Sequence, residues 1–219
     1  MRKALLAGAT GLVGRACLRA LLDNDAYSDV VVLSRRSLDL THQRLRVQLV
    51  DFERPDRLRP VEADDAFCAL GTTMARAGSE AAFRAVDYLA VLAVADLALE
   101  GGARQFVLVS SVGADPVASN FYLAVKGEAE AAVSKRSFAS VHILRPGLLL
   151  GDRQERRPAE RLMRAIAPAL NPLLLGPLTR YRAIPAELVG RAMVAAALRG
   201  RPGVSVLHYP EMLQLTESR

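Results

Sequence analysis

The chain has 219 residues, 51% apolar and 24% charged, with a formal net charge of +6. One domain of ordinary globular composition fits that length, and intrinsic disorder is excluded as the main state. Two cysteines (Cys17, Cys68) and three scattered histidines (His42, His142, His208) make neither a disulfide framework nor a cysteine-based zinc site.

The apolar runs fall far short of the roughly 20 residues of a membrane span. Met1–Ala7 mimics the opening of a secretion signal, but Gly8 interrupts it too early for an apolar signal core. A soluble, reduced, cytoplasmic protein is expected. Of 29 basic residues only Lys3, Lys126 and Lys135 are lysine. The arginines are spread along the chain with few aromatics among them, which argues against a nucleic-acid face.

In chain order, Lys3–Ala7 reads as a strand and Leu12–Leu22 as a helix. Asp29–Ser34, Leu45–Val50 and Ala66–Leu70 are further strands. Ser79–Glu100 carries a long helical pattern stopped by Gly101 and Gly102. Arg104–Ser110 is a strand, Asn120–Lys135 a helix, and Val141–Arg145 a strand ended by Pro146 and Gly147. Ala186–Leu198 is a helix and Val204–His208 a last strand. Continuous apolar strands alternating with helices predict an α/β fold, a doubly wound and mostly parallel Rossmann sheet of about seven strands. The expected strand order is 3-2-1-4-5-6-7. The proline-punctuated stretch 151–182 breaks the alternation and is expected to be a small substrate-side lobe inserted in a single domain.

Gly8, Gly11 and Gly14 lie between the first strand and first helix, with Thr10, Leu12 and Val13 completing the turn. Such spacing serves a dinucleotide: a tight turn, close approach of backbone to a pyrophosphate, and close helix–strand packing at a helix N-terminus. At the end of the second strand, an acid would bind the 2′-OH of NAD. This chain has Ser34, Arg35 and Arg36 instead, which favours the 2′-phosphate of NADP. Asp51, after the third strand, is a candidate for the adenine amino group or a helix cap.

The fifth strand ends at Ser110 and Ser111, and Tyr122 and Lys126 follow one turn apart on one helix face. An ammonium beside a phenol favours the phenolate. With a serine hydroxyl to hold the substrate oxygen, the set can move a proton on and off a carbinol oxygen while hydride passes to or from nicotinamide.

The order of glycine turn, Ser110-Ser111 and Tyr122-x-x-x-Lys126 resembles the short-chain dehydrogenase/reductase superfamily, in its extended and atypical branches. Cys68–Thr73, Phe83–Asp87 and Asn120–Glu128 resemble more closely its Tat-interacting-protein family. The resemblance implies that Ser111 orients substrate, Tyr122 is the acid–base, and Lys126 binds the nicotinamide ribose and lowers the tyrosine pKa. It implies that Leu70, Gly71 and Thr72 line the cofactor, with Pro146 and Leu148 flanking the nicotinamide. Two features depart from the superfamily: Asp87 stands where asparagine is frequent, and the interval from Ser111 to Tyr122 is short.

Arg153, Arg156, Arg157, Arg161 and Arg164 read as one side of an amphipathic helix, or as a surface for an anionic substrate or an acidic membrane. Asn171–Leu178 reads as a lid over an apolar substrate or a homodimer contact. Cys17, Cys68 and His208 read as structural. The expected function is NADP-dependent oxidoreduction of a carbonyl or carbinol of a small substrate. The alternatives are an NADPH-binding regulatory or sensing protein with little turnover, and a sugar-nucleotide epimerase or dehydratase.

Overall fold

Strand β1 (Arg2–Ala7) buries Ala4 to Ala7 on both faces, as befits the centre of a helix-covered sheet. The computed structural model describes residues 1–54, 57, 59–151, 171 and 174–217. In chain order β1 is followed by α1 (Leu12–Leu22), β2 (Tyr27–Ser34), β3 (Leu45–Leu49) and β4 (Asp65–Cys68). Next come α2 (Met74–Ala77), α3 (Glu80–Arg84), a π-helical turn (Ala85–Leu89), α4 (Ala90–Glu100), β5 (Gln105–Val109), α5 (Phe121–Ser134) and β6 (Ser140–Leu144). The chain continues through β7 (Leu149–Leu150), a 3-10 helix (Gly176–Tyr181), β8 (Ile184–Pro185), α6 (Ala186–Arg199), β9 (Gly203–Leu207) and α7 (Tyr209–Glu217).

The seven-stranded sheet has the order β3-β2-β1-β4-β5-β6-β9, every neighbouring pair parallel. This is the expected Rossmann order, with β9 as the seventh strand. Two-residue strands β7 and β8 form a separate parallel pair. Alternate side chains divide the core. Leu6, Val32, Phe67 and Val107 meet α1, α6 and α7, while Leu5, Leu33, Phe106 and Leu108 meet α4 and the inner face of α5. Gly190 lets α6 approach α1 closely: a Cβ there would sit 2.5 Å from the Cys17 amide nitrogen.

The sequence pattern is corrected in three places. The helix expected over Ser79–Glu100 is broken by the π turn, which inserts one residue into the repeat and turns Asp87 inward. Helix α7 was not anticipated, since Pro210 at its start and mixed polarity hide its periodicity. Strands β7 and β8 are too short to leave a hydropathy signal. The amphipathic helix expected around Arg153–Arg164 lies outside the described residues, as does most of the stretch 151–182.

Candidate functional site

The reversal of strand order falls between β1 and β4, where doubly wound sheets open their ligand crevice. Gly8 has φ +90°, and a Cβ on it would lie 2.5 Å from the Ala69 carbonyl carbon. The β1–α1 turn is thereby pressed against the exit of β4. Gly11 occupies the N-cap of α1, whose first turn has no side-chain cap. Its absent Cβ faces only the Gly8 oxygen at 3.3 Å and the Ala69 oxygen at 4.0 Å. Thr10 and Gly11 are exposed, whereas Val13 and Gly14 are buried beneath them. Bare backbone, free helix N–H groups and the dipole of α1 fit a pyrophosphate.

At the end of β2, the buried Ser34 accepts the Arg36 amide at 3.3 Å, and Arg35 and Arg36 are exposed. The Val50 amide donates to the Ser34 carbonyl at 2.9 Å, which brings Asp51 beside this serine–arginine corner. Asp51 accepts the Glu53 amide through Oδ1 in a local turn. It caps no helix.

The Ser110 hydroxyl, past β5, is buried without a hydrogen-bond partner among the described residues. Ser111 is partly exposed and donates weakly to the Val112 carbonyl at 3.4 Å. The loop that follows lies directly on α5. Gly127 could not carry a Cβ, which would fall 2.2 Å from the Asp115 carbonyl carbon, and the Asp115 amide donates to the Leu123 oxygen. That close approach accommodates the short interval between Ser111 and Tyr122. The Asn120 side chain caps α5 by accepting the Leu123 amide, which sets Tyr122 in the first turn. The Tyr122 ring rests against Phe83, centroids 5.6 Å apart.

Lys126 lies one turn further along α5, only 6% exposed, with Nζ 2.8 Å from Oδ1 of the fully buried Asp87. Burial lowers the Lys126 pKa, but the Asp87 carboxylate, then Tyr122 and Cys68, outweigh it and hold the ammonium above the ordinary lysine value. Asp87 Oδ2 accepts the Thr72 amide at 2.8 Å. Gly71 lies directly over the pair; a Cβ on it would be 3.3 Å from Asp87 Oδ1 and 3.4 Å from Lys126 Nζ. Leu70, Gly71 and Thr72 thus form a wall between the glycine turn and Lys126. Sequence reading noted Asp87 only as a departure and missed the pairing, which joins residues 39 positions apart. Cys17 and Cys68 are buried, and burial pushes the Cys68 thiol up to about 11 and the Cys17 thiol higher. Neither is a ready nucleophile.

Pro146 is buried and its carbonyl accepts the Val112 amide at 3.0 Å, so the loops after β5 and β6 are joined. Leu148 is 37% exposed. Gly147 packs on the Tyr181 and Arg182 carbonyls. The exposed Leu175 and Leu178 lie on the same returning segment as Tyr181. A separate groove of about 870 Å³ runs between α1, α6 and α7 and touches none of the serine, tyrosine or lysine positions.

A family model described as NAD(P)H-binding matches residues 8–167. The chain belongs to this NAD(P)H-binding family. Among its relatives is Protein HTATIP2 of Rattus norvegicus, 40% identical over 168 residues, covering 74% of this chain and 69% of that one. Protein fmp52, mitochondrial, of Emericella nidulans is 35% identical over 213 residues, covering 93% and 90%. The resemblance to the atypical short-chain dehydrogenases and their Tat-interacting-protein family is borne out. A solved structure of MoeE5 in complex with UDP-glucose and NAD superposes with a TM-score of 0.66 at 20% identity, covering 98% of this chain and 80% of that one. The chain thus shares the fold of that NAD-bound protein and belongs to an NAD(P)H-binding family.

The expectation of a cytoplasmic protein is overturned. Several fungal members of the family are named mitochondrial. Reduced thiols and the lack of a long apolar run do not separate one compartment from another. Among the described residues no helix is long and apolar enough to cross a membrane.

Proposed function

We propose that the chain is an NADP-dependent oxidoreductase acting on the carbonyl or carbinol of a small substrate. The observation that carries this reading is the buried Lys126 ammonium one helical turn from Tyr122, at the sheet end that also holds the glycine turn.

Gly8, Thr10, Gly11, Leu12, Val13 and Gly14 hold the pyrophosphate. Ser34, Arg35 and Arg36 take the 2′-phosphate, and Asp51 lies beside the adenine. Leu70, Gly71, Thr72 and Ser110 line the middle of the cleft, the buried Ser110 hydroxyl gaining a partner there. Pro146 and Leu148 flank the nicotinamide, which when bound supplies or accepts the hydride. Ser111 holds the substrate oxygen by its hydroxyl. Tyr122 gives or takes the proton on that oxygen. Lys126 spends one direction of its ammonium on Asp87 and keeps further N–H groups for a ribose hydroxyl. The exposed Leu175 and Leu178 suit an apolar portion of substrate.

The Asp87 carboxylate also favours a second reading, an NADPH-binding sensing protein with little turnover. It offsets part of the lysine charge that Tyr122 would use. A panel of carbonyl compounds, followed by the loss of nicotinamide absorbance, separates the two. Turnover that requires Tyr122 supports the oxidoreductase. NADPH binding with no oxidation across the panel supports the sensor.

A further inference from the structure

A lysine as buried as Lys126 would ordinarily shed its proton, because a low-dielectric site disfavours the charged form. The fold supplies a counter-charge from an unusual place. The π turn Ala85–Leu89 lies within an otherwise continuous helical run, and Asp87 at its centre is fully buried. An added residue in a helix re-aims the side chains on its inner face, and such turns recur at functional sites. Here it delivers one carboxylate to two targets, Lys126 Nζ at 2.8 Å and the Thr72 amide at 2.8 Å.

We propose that Asp87 is a positioning residue for the Ser111–Tyr122–Lys126 site, holding the buried Lys126 as an ammonium and fixing it to the cofactor-lining loop through Thr72. The inference rests on the functional reading above only for what the ammonium then does. The groups facing Lys126 are Asp87 from the π turn, Cys68 from β4 and Tyr122 from its own helix. Of these, the Asp87 carboxylate supplies the neutralising charge. An amide at position 87 could still accept the Thr72 N–H, but it would bring no charge. The carboxylate is the functional feature, and the hydrogen bond alone is not.

The test uses the cofactor-free full chain first. In the unmodified protein, Lys126 contributes stability below the unfolded lysine pKa of about 10.4 and loses that contribution only above it. In Asp87→Asn, the folded-state lysine titrates below its unfolded value. The variant therefore carries a penalty at neutral pH that shrinks as pH rises. The melting-temperature gap between the two proteins should be widest near pH 7 and narrow by pH 10. A gap independent of pH overturns the proposal, since lost packing or a lost hydrogen bond would not titrate. Should Asp87→Asn fail to fold, the double variant Asp87→Asn/Lys126→Met should be the more stable of the two. A double variant no more stable than the single one overturns it equally.

NADPH titration then gives an independent readout. Affinity of Asp87→Asn should fall with rising pH, by up to tenfold per unit, while the unmodified chain stays level. Parallel profiles would count against Asp87. If the unmodified chain fails to bind NADPH at all, the cofactor reading fails and the melting series still decides the role of Asp87.

Discussion

The carbonyl oxygen of Gly8 lies 2.0 Å from where a Cβ of Gly14 would be. The turn and the first turn of α1 are thus in backbone contact, and only hydrogen fits between them. Gly14→Ala must push the two apart. It should cost about 1–3 kcal/mol, the usual range for overpacking, and weaken NADPH binding with it. Gly11→Val meets a milder obstacle, since the nearest neighbour of its Cβ is the Gly8 oxygen at 3.3 Å, a tight contact that a shift of a few tenths of an ångström relieves. Denaturant unfolding should find Gly11→Val less destabilised than Gly14→Ala while fluorescence titration finds NADPH binding lost. Equal destabilisation of both variants would mean that Gly11, too, serves packing alone.

Cofactor choice should follow the exposed Arg35 and Arg36 beside Ser34. NADPH is expected to bind more tightly than NADH, and Arg35→Ala should narrow the gap by about 1.5–3 kcal/mol at most, the range for hydrogen bonds to charged groups. Calorimetric titration of both nucleotides checks it. Equal affinities in the unmodified chain would remove the assignment.

Tyr122→Phe keeps the ring against Phe83 and removes only the hydroxyl. Folding stability should barely change. Turnover should fall by about 10²–10⁴-fold, as on loss of a general acid or base, with NADPH affinity retained. Full turnover in this variant would transfer the proton step to another group.

Acid should destabilise the fold through His142. This residue sits in β6 at 2% exposure, its Nε2 without a partner among the described residues, and burial lowers its pKa below the ordinary value. Above about pH 6.5 it is neutral in both folded and unfolded chains. As pH falls below that, the unfolded chain takes up the proton first, so stability declines, by at most about 1.4 kcal/mol per pH unit. Melting temperatures between pH 7 and 5 should fall less steeply in His142→Val than in the unmodified protein. An unchanged slope would assign the acid sensitivity to other groups, such as His208, whose pKa burial also lowers.

The sheet was legible because its inner strands are buried on both faces and so read as short continuous apolar runs, as with Val30–Leu33 and Phe106–Val109. The glycine turn and the Tyr122–Lys126 pair were legible because each is set by local spacing. The π turn was not, since one inserted residue in an alanine-rich helix barely alters its hydropathy pattern. The Asp87–Lys126 pair was not, because it depends on how α5 packs against the π turn, two segments far apart in the chain. Nor could spacing alone say that the short loop from Ser111 to Tyr122 suffices; that follows from the missing side chain of Gly127, which lets the loop lie on the helix.

The pairing of Leu149–Leu150 with Ile184–Pro185 has a consequence for how such a chain can diversify. Because each strand is only two residues long, their pairing leaves departure and return of the intervening stretch about one strand spacing apart. The Asn171 side chain adds a second fastening, exchanging two hydrogen bonds with the Ala183 backbone at 2.8 and 2.9 Å. A stretch clamped at its ends can be lengthened, shortened or exchanged at small entropic cost, since closure entropy grows only slowly with loop length. The β7–β8 pair is therefore a place where the chain can accept a different intervening sequence while the glycine turn and α5 keep their register.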